Sequence, residues 1–135
     1  MKIKRVEHVA IAVRDMADSM AMLERVFDLK LEYQEQIGTT RLAMYPIGET
    51  YLELLEAAAP ESPVTKWISR NGESLFHLCF EVDDIDGALV ELRQKGIKLL
   101  DETPRIGHAG SRIAFLDPRS TGNILIELAE LPAGH

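Results

Sequence analysis

Hydrophobic positions along this chain alternate between two rhythms, and the whole alternation occurs twice. Residues 5–13, RVEHVAIAV, form a β-rich run, and the following 15–27, DMADSMAMLERVF, place Met16, Met20, Leu23 and Phe27 on one helical face behind a candidate N-cap, Asp15. The same signals return at 74–82, SLFHLCFEV, and then in DDIDGALVELRQKG, where Ile85, Leu89 and Leu92 make the apolar stripe and Gly96 marks the stop. Superposing His8 on His77 takes an offset of 77 − 8 = 69, which also brings Val13 onto Val82, Asp15 onto Asp84 and Leu23 onto Leu92.

The later part of each half repeats as well. RLAMYPIGETYLELLE at 41–56 parallels RIAFLDPRSTGNILIELAE at 112–130, with an offset of 71 at Arg41/Arg112 and 74 at Glu53/Glu127. The difference of 74 − 71 = 3 residues falls in the Asp117–Asn123 turn, where an insertion is cheap. Each half is therefore predicted as strand, helix and about three strands. One such unit buries a sheet face poorly, whereas two copies can face each other and share a core. The expected architecture is α+β, one domain over 1–135 with pseudo-twofold modules at approximately 1–56 and 74–131. They are joined by 57–73, in which VTKWISR is predicted as a short helix. No GxGxxG or GKS/T segment follows a strand, which counts against a nucleotide-binding α/β fold.

The repeat also aligns chemistry. His8 matches His77 and Glu53 matches Glu127, and each interrupts an otherwise apolar strand. A single strand histidine is usually a hydrogen-bonded core or surface group, and a single strand glutamate usually faces water. A repeat-related set of two imidazoles and two carboxylates reads differently: packed around a cleft, they offset the cost of burial by binding a divalent cation. His108, in the glycine-rich RIGHAGSR, and the terminal His135 have no repeat partner. For His108 a mobile loop is favoured over substrate contact, and for His135 exposure to solvent or disorder.

With 15 Lys+Arg against 22 Asp+Glu, the formal charge is −7, and no basic run supplies a field for nucleic acid. No apolar stretch approaches the roughly 20 residues of a membrane helix. The single cysteine, Cys79, lies in an apolar run and has no partner for an intramolecular disulfide, so it reads as packing in a reducing, cytoplasmic setting.

Taken together, these segments resemble the vicinal oxygen chelate superfamily (glyoxalase, bleomycin resistance and dioxygenase proteins). EHVAIAV, YLELLE, SPVTKWISRNGE, FHLCFEVDDIDGAL, DETPRIGHAGSRIAFLDPRSTG and ILIELAE look more narrowly like the methylmalonyl-CoA epimerases. The resemblance implies two paired βαβββ modules forming an open, cup-shaped metal-binding sheet, with His8, Glu53, His77 and Glu127 as ligands. It implies one divalent ion per chain, Co²⁺ first, with Mn²⁺, Ni²⁺ or Zn²⁺ as alternatives, and a homodimer. The reaction it implies removes and returns the α-proton of methylmalonyl-CoA, with Glu127 as one base and Glu53 as the second acid/base. Some relatives carry a separate catalytic glutamate after a Glu-Gln-Gly segment. Here an extra Ile37 intervenes in YQEQIGTTRLAMYP, residues 39–46 hold no carboxylate, and Arg41 lies near the expected position. Asp117 stands where many relatives have histidine before proline.

Candidate cations for the CoA phosphates are Arg70, Lys98, Arg105, Arg112 and Arg119, with backbone amides of RIGHAGS and RSTGN as further anion donors. A glyoxalase I-like lactoylglutathione lyase is the nearest alternative, and a noncatalytic small-molecule-binding protein of the same fold is another. A fourth protein ligand, Glu53, counts against an extradiol dioxygenase, which leaves more of the metal open.

Overall fold

The computed structural model describes residues 1–134, so the expectation for His135 lies outside the described residues. The chain divides into two compact units, one of His8–Phe76 and one of Met1–Glu7 together with the chain from His77 onward. The first strand, β1 (Ile3–Ala12), contributes its first five residues to the second of these and its last five to the first.

In the His8–Phe76 unit, α1 (Met16–Phe27) follows β1, then β2 (Tyr33–Ile37), β3 (Thr40–Ile47), β4 (Thr50–Ala57) and α2 (Pro63–Asn71). The strands lie in the order β2-β3-β4-β1, with β1 parallel to β4 and the other pairs antiparallel. Strand alternation divides the side chains between two faces. Ile11, Ala43, Tyr45, Leu52 and Leu54 pack with Met16, Met20 and Leu23 of α1. Ala10, Ala12, Leu42, Met44 and Leu55 pack on the other side with Val64, Trp67 and Ile68 of α2. Asp15 caps α1 by accepting the Asp18 amide (3.0 Å), and Ser62 caps α2, with Pro63 opening the helix. Phe27, expected on the buried stripe, is 61 % exposed. The helix ends there, Asp28 turns the chain in the left-handed region, and Leu29 packs in its place.

The second unit repeats the order. β5 (Ser74–Val82) leads to α3 (Ile85–Gln94), β6 (Arg105–Ile106), β7 (Arg112–Phe115) and β8 (Ile126–Glu130). The strands run β6-β7-β8-β5, again with the first and last strands parallel. α3 covers one face through Ile85, Ala88, Leu89 and Leu92, packed on Val82, Ala114, Ile126 and Leu128. The duplication reaches the helix starts. Glu56, at the end of β4, accepts the Met16 amide (2.7 Å), and Glu130, at the end of β8, accepts the Ile85 amide (3.0 Å). Each strand-end carboxylate thus satisfies an orphan donor at the positive end of a helix.

The three-residue length difference falls where the sequence places it. Between β3 and β4 lies a two-residue turn at Gly48 and Glu49, whereas between β7 and β8 the chain makes a 3₁₀ turn at Pro118–Ser120. Asp117 is a structural residue of that turn. It accepts the Arg119 amide (2.9 Å) and pairs with the Arg119 guanidinium (2.7 Å), while its own amide donates to Lys98 O. No helix among the described residues is long and apolar enough to cross a membrane.

The hydrogen bond from the Arg119 side chain holds the Asp117 carboxyl down at about 2. A depressed carboxylate stabilises the fold above its unfolded value, and that contribution is lost as pH falls through the folded one. Asp117→Asn should therefore be less stable than the parent at neutral pH, and the gap should close between about pH 4 and pH 2. Denaturant midpoints measured across that range check this.

Candidate functional site: two imidazole–carboxylate pairs

Strand register decides which polar side chains meet. In the His8–Phe76 unit, Ala10 lies opposite Glu53 across the β1–β4 pair, and His8 is two residues earlier, on the same face. This diagonal brings His8 Nε2 to 3.2 Å from Glu53 Oε1. In the other unit Cys79 lies opposite Glu127 across β5–β8, His77 is again two residues earlier, and His77 Nε2 is 3.1 Å from Glu127 Oε1. The neighbours on the remaining side also correspond: Met44 of β3 faces Glu53, and Phe115 of β7 faces Glu127. All four polar residues are buried, none more than 7 % exposed.

Each pair is flanked by apolar groups. Glu53 lies between Ala10 and Met44, and Glu127 between Cys79 and Phe115, whose ring meets that of His77 edge-on at 5.1 Å. Little water can solvate a carboxylate in such a place, so its charge must be met locally. Two occupants suit a gap of this size: a proton shared by the imidazole and the carboxylate, or a cation taking a lone pair from each. Two ligands bound at about 2.1 Å and at right angles stand about 3.0 Å apart, close to both separations. Imidazole nitrogen with carboxylate oxygen is moreover a donor set suited to first-row divalent ions. Both pairs therefore fit a metal.

The strand expected to hold a further carboxylate turns a different face. Arg41 lies on the α1 side of β3, where its Nε donates to Glu56 (2.8 Å), so it is not beside Glu53. Leu42 and Met44 take the positions on the Glu53 face. The extra Ile37 closes the β2–β3 hairpin opposite Thr40, and the carboxylate that register puts on this face is Glu35 of β2, opposite Leu42.

His108 also departs from expectation. It is buried, and its Nε2 lies 2.9 Å from Glu7 Oε1. Two features of the loop allow this: a side chain at Gly107 would meet Ile113 at 2.7 Å, and Ala109 and Gly110 adopt positive φ. In the sequence Glu7 reads as the polar flank of a strand. Its signal is an acidic residue beside His8 in an otherwise apolar run.

The chain is an α+β protein of two βαβββ units, each with a buried imidazole–carboxylate pair at the same register. The profile of the Glyoxalase/Bleomycin resistance protein/Dioxygenase superfamily matches residues 7–115, and the chain belongs to that superfamily. It is 33 % identical over 132 residues to the mitochondrial methylmalonyl-CoA epimerase of Dictyostelium discoideum, covering 95 % of this chain and 79 % of that one. Among solved structures, a variant of Streptomyces coelicolor methylmalonyl-CoA epimerase in complex with 2-nitronate-propionyl-CoA superposes with a TM-score of 0.94 at 32 % identity, covering 98 % and 97 % of the two chains. A methylmalonyl-CoA epimerase in complex with methylmalonyl-CoA and NH4+ has the same TM-score, identity and coverage.

Removing a carboxylate from a buried imidazole should be felt in stability. Glu7→Ala is expected to lower the unfolding free energy by about 1–3 kcal/mol, and Glu7→Gln, which keeps an acceptor oxygen, by less. Urea titration of the two variants checks both the loss and its order.

Proposed function

We propose that the protein is a metal-dependent epimerase that interconverts the stereoisomers of methylmalonyl-CoA. The observation that carries this reading is the equivalence of the two buried pairs, His8–Glu53 and His77–Glu127, with imidazole and carboxylate 3.2 and 3.1 Å apart. The epimerase relatives and the solved epimerase with methylmalonyl-CoA support the substrate. The four residues hold one divalent cation per chain, Co²⁺ by preference, with Mn²⁺, Ni²⁺ or Zn²⁺ as substitutes. When bound, such an ion supplies positive charge that lowers the energy of an enolate oxygen on the substrate.

The chain's own groups move the proton. Inverting a carbon takes one acid/base on each side of it, and Glu127 and Glu53 fill those roles. Each carboxylate has two oxygens, so one can remain toward its histidine while the other exchanges a proton. Ala10, Met44, Cys79 and Phe115 beside them limit competition from water. The chain acts as one domain of two modules, 1–56 and 74–131 joined by 57–73, and works as a cytoplasmic homodimer. The buried single thiol of Cys79 is in keeping with a reducing compartment.

The test is solvent-deuterium incorporation into each stereoisomer of methylmalonyl-CoA by metal-loaded protein, read by mass spectrometry. The parent should exchange the α-proton and interconvert the isomers. Glu53→Gln should keep its metal, lose about 100-fold or more in epimerisation, and still exchange the isomer that presents its proton to Glu127. Full turnover in Glu53→Gln would remove Glu53 from the acid/base role. No exchange by the metal-loaded parent would move the reading to glyoxalase-like chemistry.

A further inference from the structure

The unit that carries His77 and Glu127 has, opposite α3, a face whose side chains can be followed strand by strand. Cys79, Glu127 and Phe115 form one row across β5, β8 and β7, and Ala129, Ile113 and Arg105 form the next, ending on the edge strand β6. Arg105 is thus on the same face as the His77–Glu127 pair. Its guanidinium lies over the Phe115 ring, 5.6 Å from the centroid, and that ring meets His77 edge-on.

Two contacts hold this guanidinium, and a third fixes the carboxylate that it meets. Its Nε donates to Asp101 Oδ1 (3.1 Å), the other Asp101 oxygen accepts the Phe115 amide (2.8 Å), and the ring of the same Phe115 supports the cation. The two terminal amino groups of Arg105 have no protein partner among the described residues. The other candidate arginines of this unit are committed elsewhere. Arg112 gives both terminal nitrogens to Asp86 of α3 (2.7 and 3.0 Å), and Arg119 closes on Asp117. The register-equivalent position of the other module is Glu35, opposite Leu42 as Arg105 is opposite Ile113, so the positive charge is not a by-product of the repeat.

We propose that Arg105 is the anion-recognising residue of this site, presenting its two terminal amino groups to an oxygen pair of an acyl-CoA. The chemistry is that of a fork donor meeting a carboxylate or a phosphate. The oxygen pair belongs either to the free carboxylate of the acyl group or to a phosphate of the CoA. Asp101 and Phe115 are positioning residues: they fix the plane and direction of the guanidinium before the ligand arrives, reducing the ordering cost of binding. The proposal rests on the acyl-CoA reading above and adds to it the residue that tells an anionic ligand from a neutral one.

The experiment is calorimetric titration of the metal-loaded parent, Arg105→Ala and Arg105→Lys with methylmalonyl-CoA, propionyl-CoA and pantetheine. Arg105 is exposed enough for both variants to fold. The expected result is a loss of about tenfold or more in methylmalonyl-CoA affinity for Arg105→Ala, partly restored in Arg105→Lys. If propionyl-CoA binding is unchanged, the contact is to the acyl carboxylate. If it falls in parallel while weak pantetheine binding does not, the contact is to a CoA phosphate. Equal methylmalonyl-CoA affinity in parent and Arg105→Ala overturns the proposal while leaving the acyl-CoA reading intact. A parent that binds neither CoA ester overturns both.

Discussion

A carboxylate in the middle of an apolar strand is tolerated only if something meets its charge, and this requirement organises both units. In each, parallel pairing of the first and last strands puts a histidine two residues ahead of the position opposite the glutamate, which leaves imidazole nitrogen and carboxylate oxygen about 3 Å apart. Sliding the glutamate's strand by one residue would turn it to the face packed by α1 or α3, away from its histidine. The register that buries the apolar side chains therefore also creates the pair. Stability and chemistry are specified by the same alternation.

The duplication explains why much of this is legible in the sequence. His8 with His77 and Glu53 with Glu127 stand out because the same departure from apolar alternation occurs at the same place in both halves, and a buried ionisable residue needs a reason in each. The helix cap Asp15 is readable for a different reason, since it is a short polar side chain immediately before an apolar helical stripe. The length difference between halves was also visible, although the capped 3₁₀ turn that absorbs it was not.

What the sequence concealed depends on contacts between distant segments. The faces of Arg41 and Leu42 follow from the register of the β2–β3 hairpin, which Ile37 and Thr40 close, and no local pattern fixes that register. His108 reads as part of a loose glycine-rich loop because its Glu7 partner is 101 residues away. Gly107 and Gly110 serve close packing and a left-handed turn there, uses that look like flexibility when only the letters are read. Phe27 belongs to the periodic stripe of α1 but lies where the helix ends, so periodicity overestimates its burial.

Metal stoichiometry tests the proposed four-ligand site most directly. Dialysed protein reloaded with Co²⁺ and assayed by elemental analysis should hold about one ion per chain, and His8→Ala and His77→Ala should each lower its affinity, as the proposed set of four ligands requires. Two ions per chain, with each substitution removing only one, would show that the pairs act separately. Retention of full affinity in either variant would contradict a shared site.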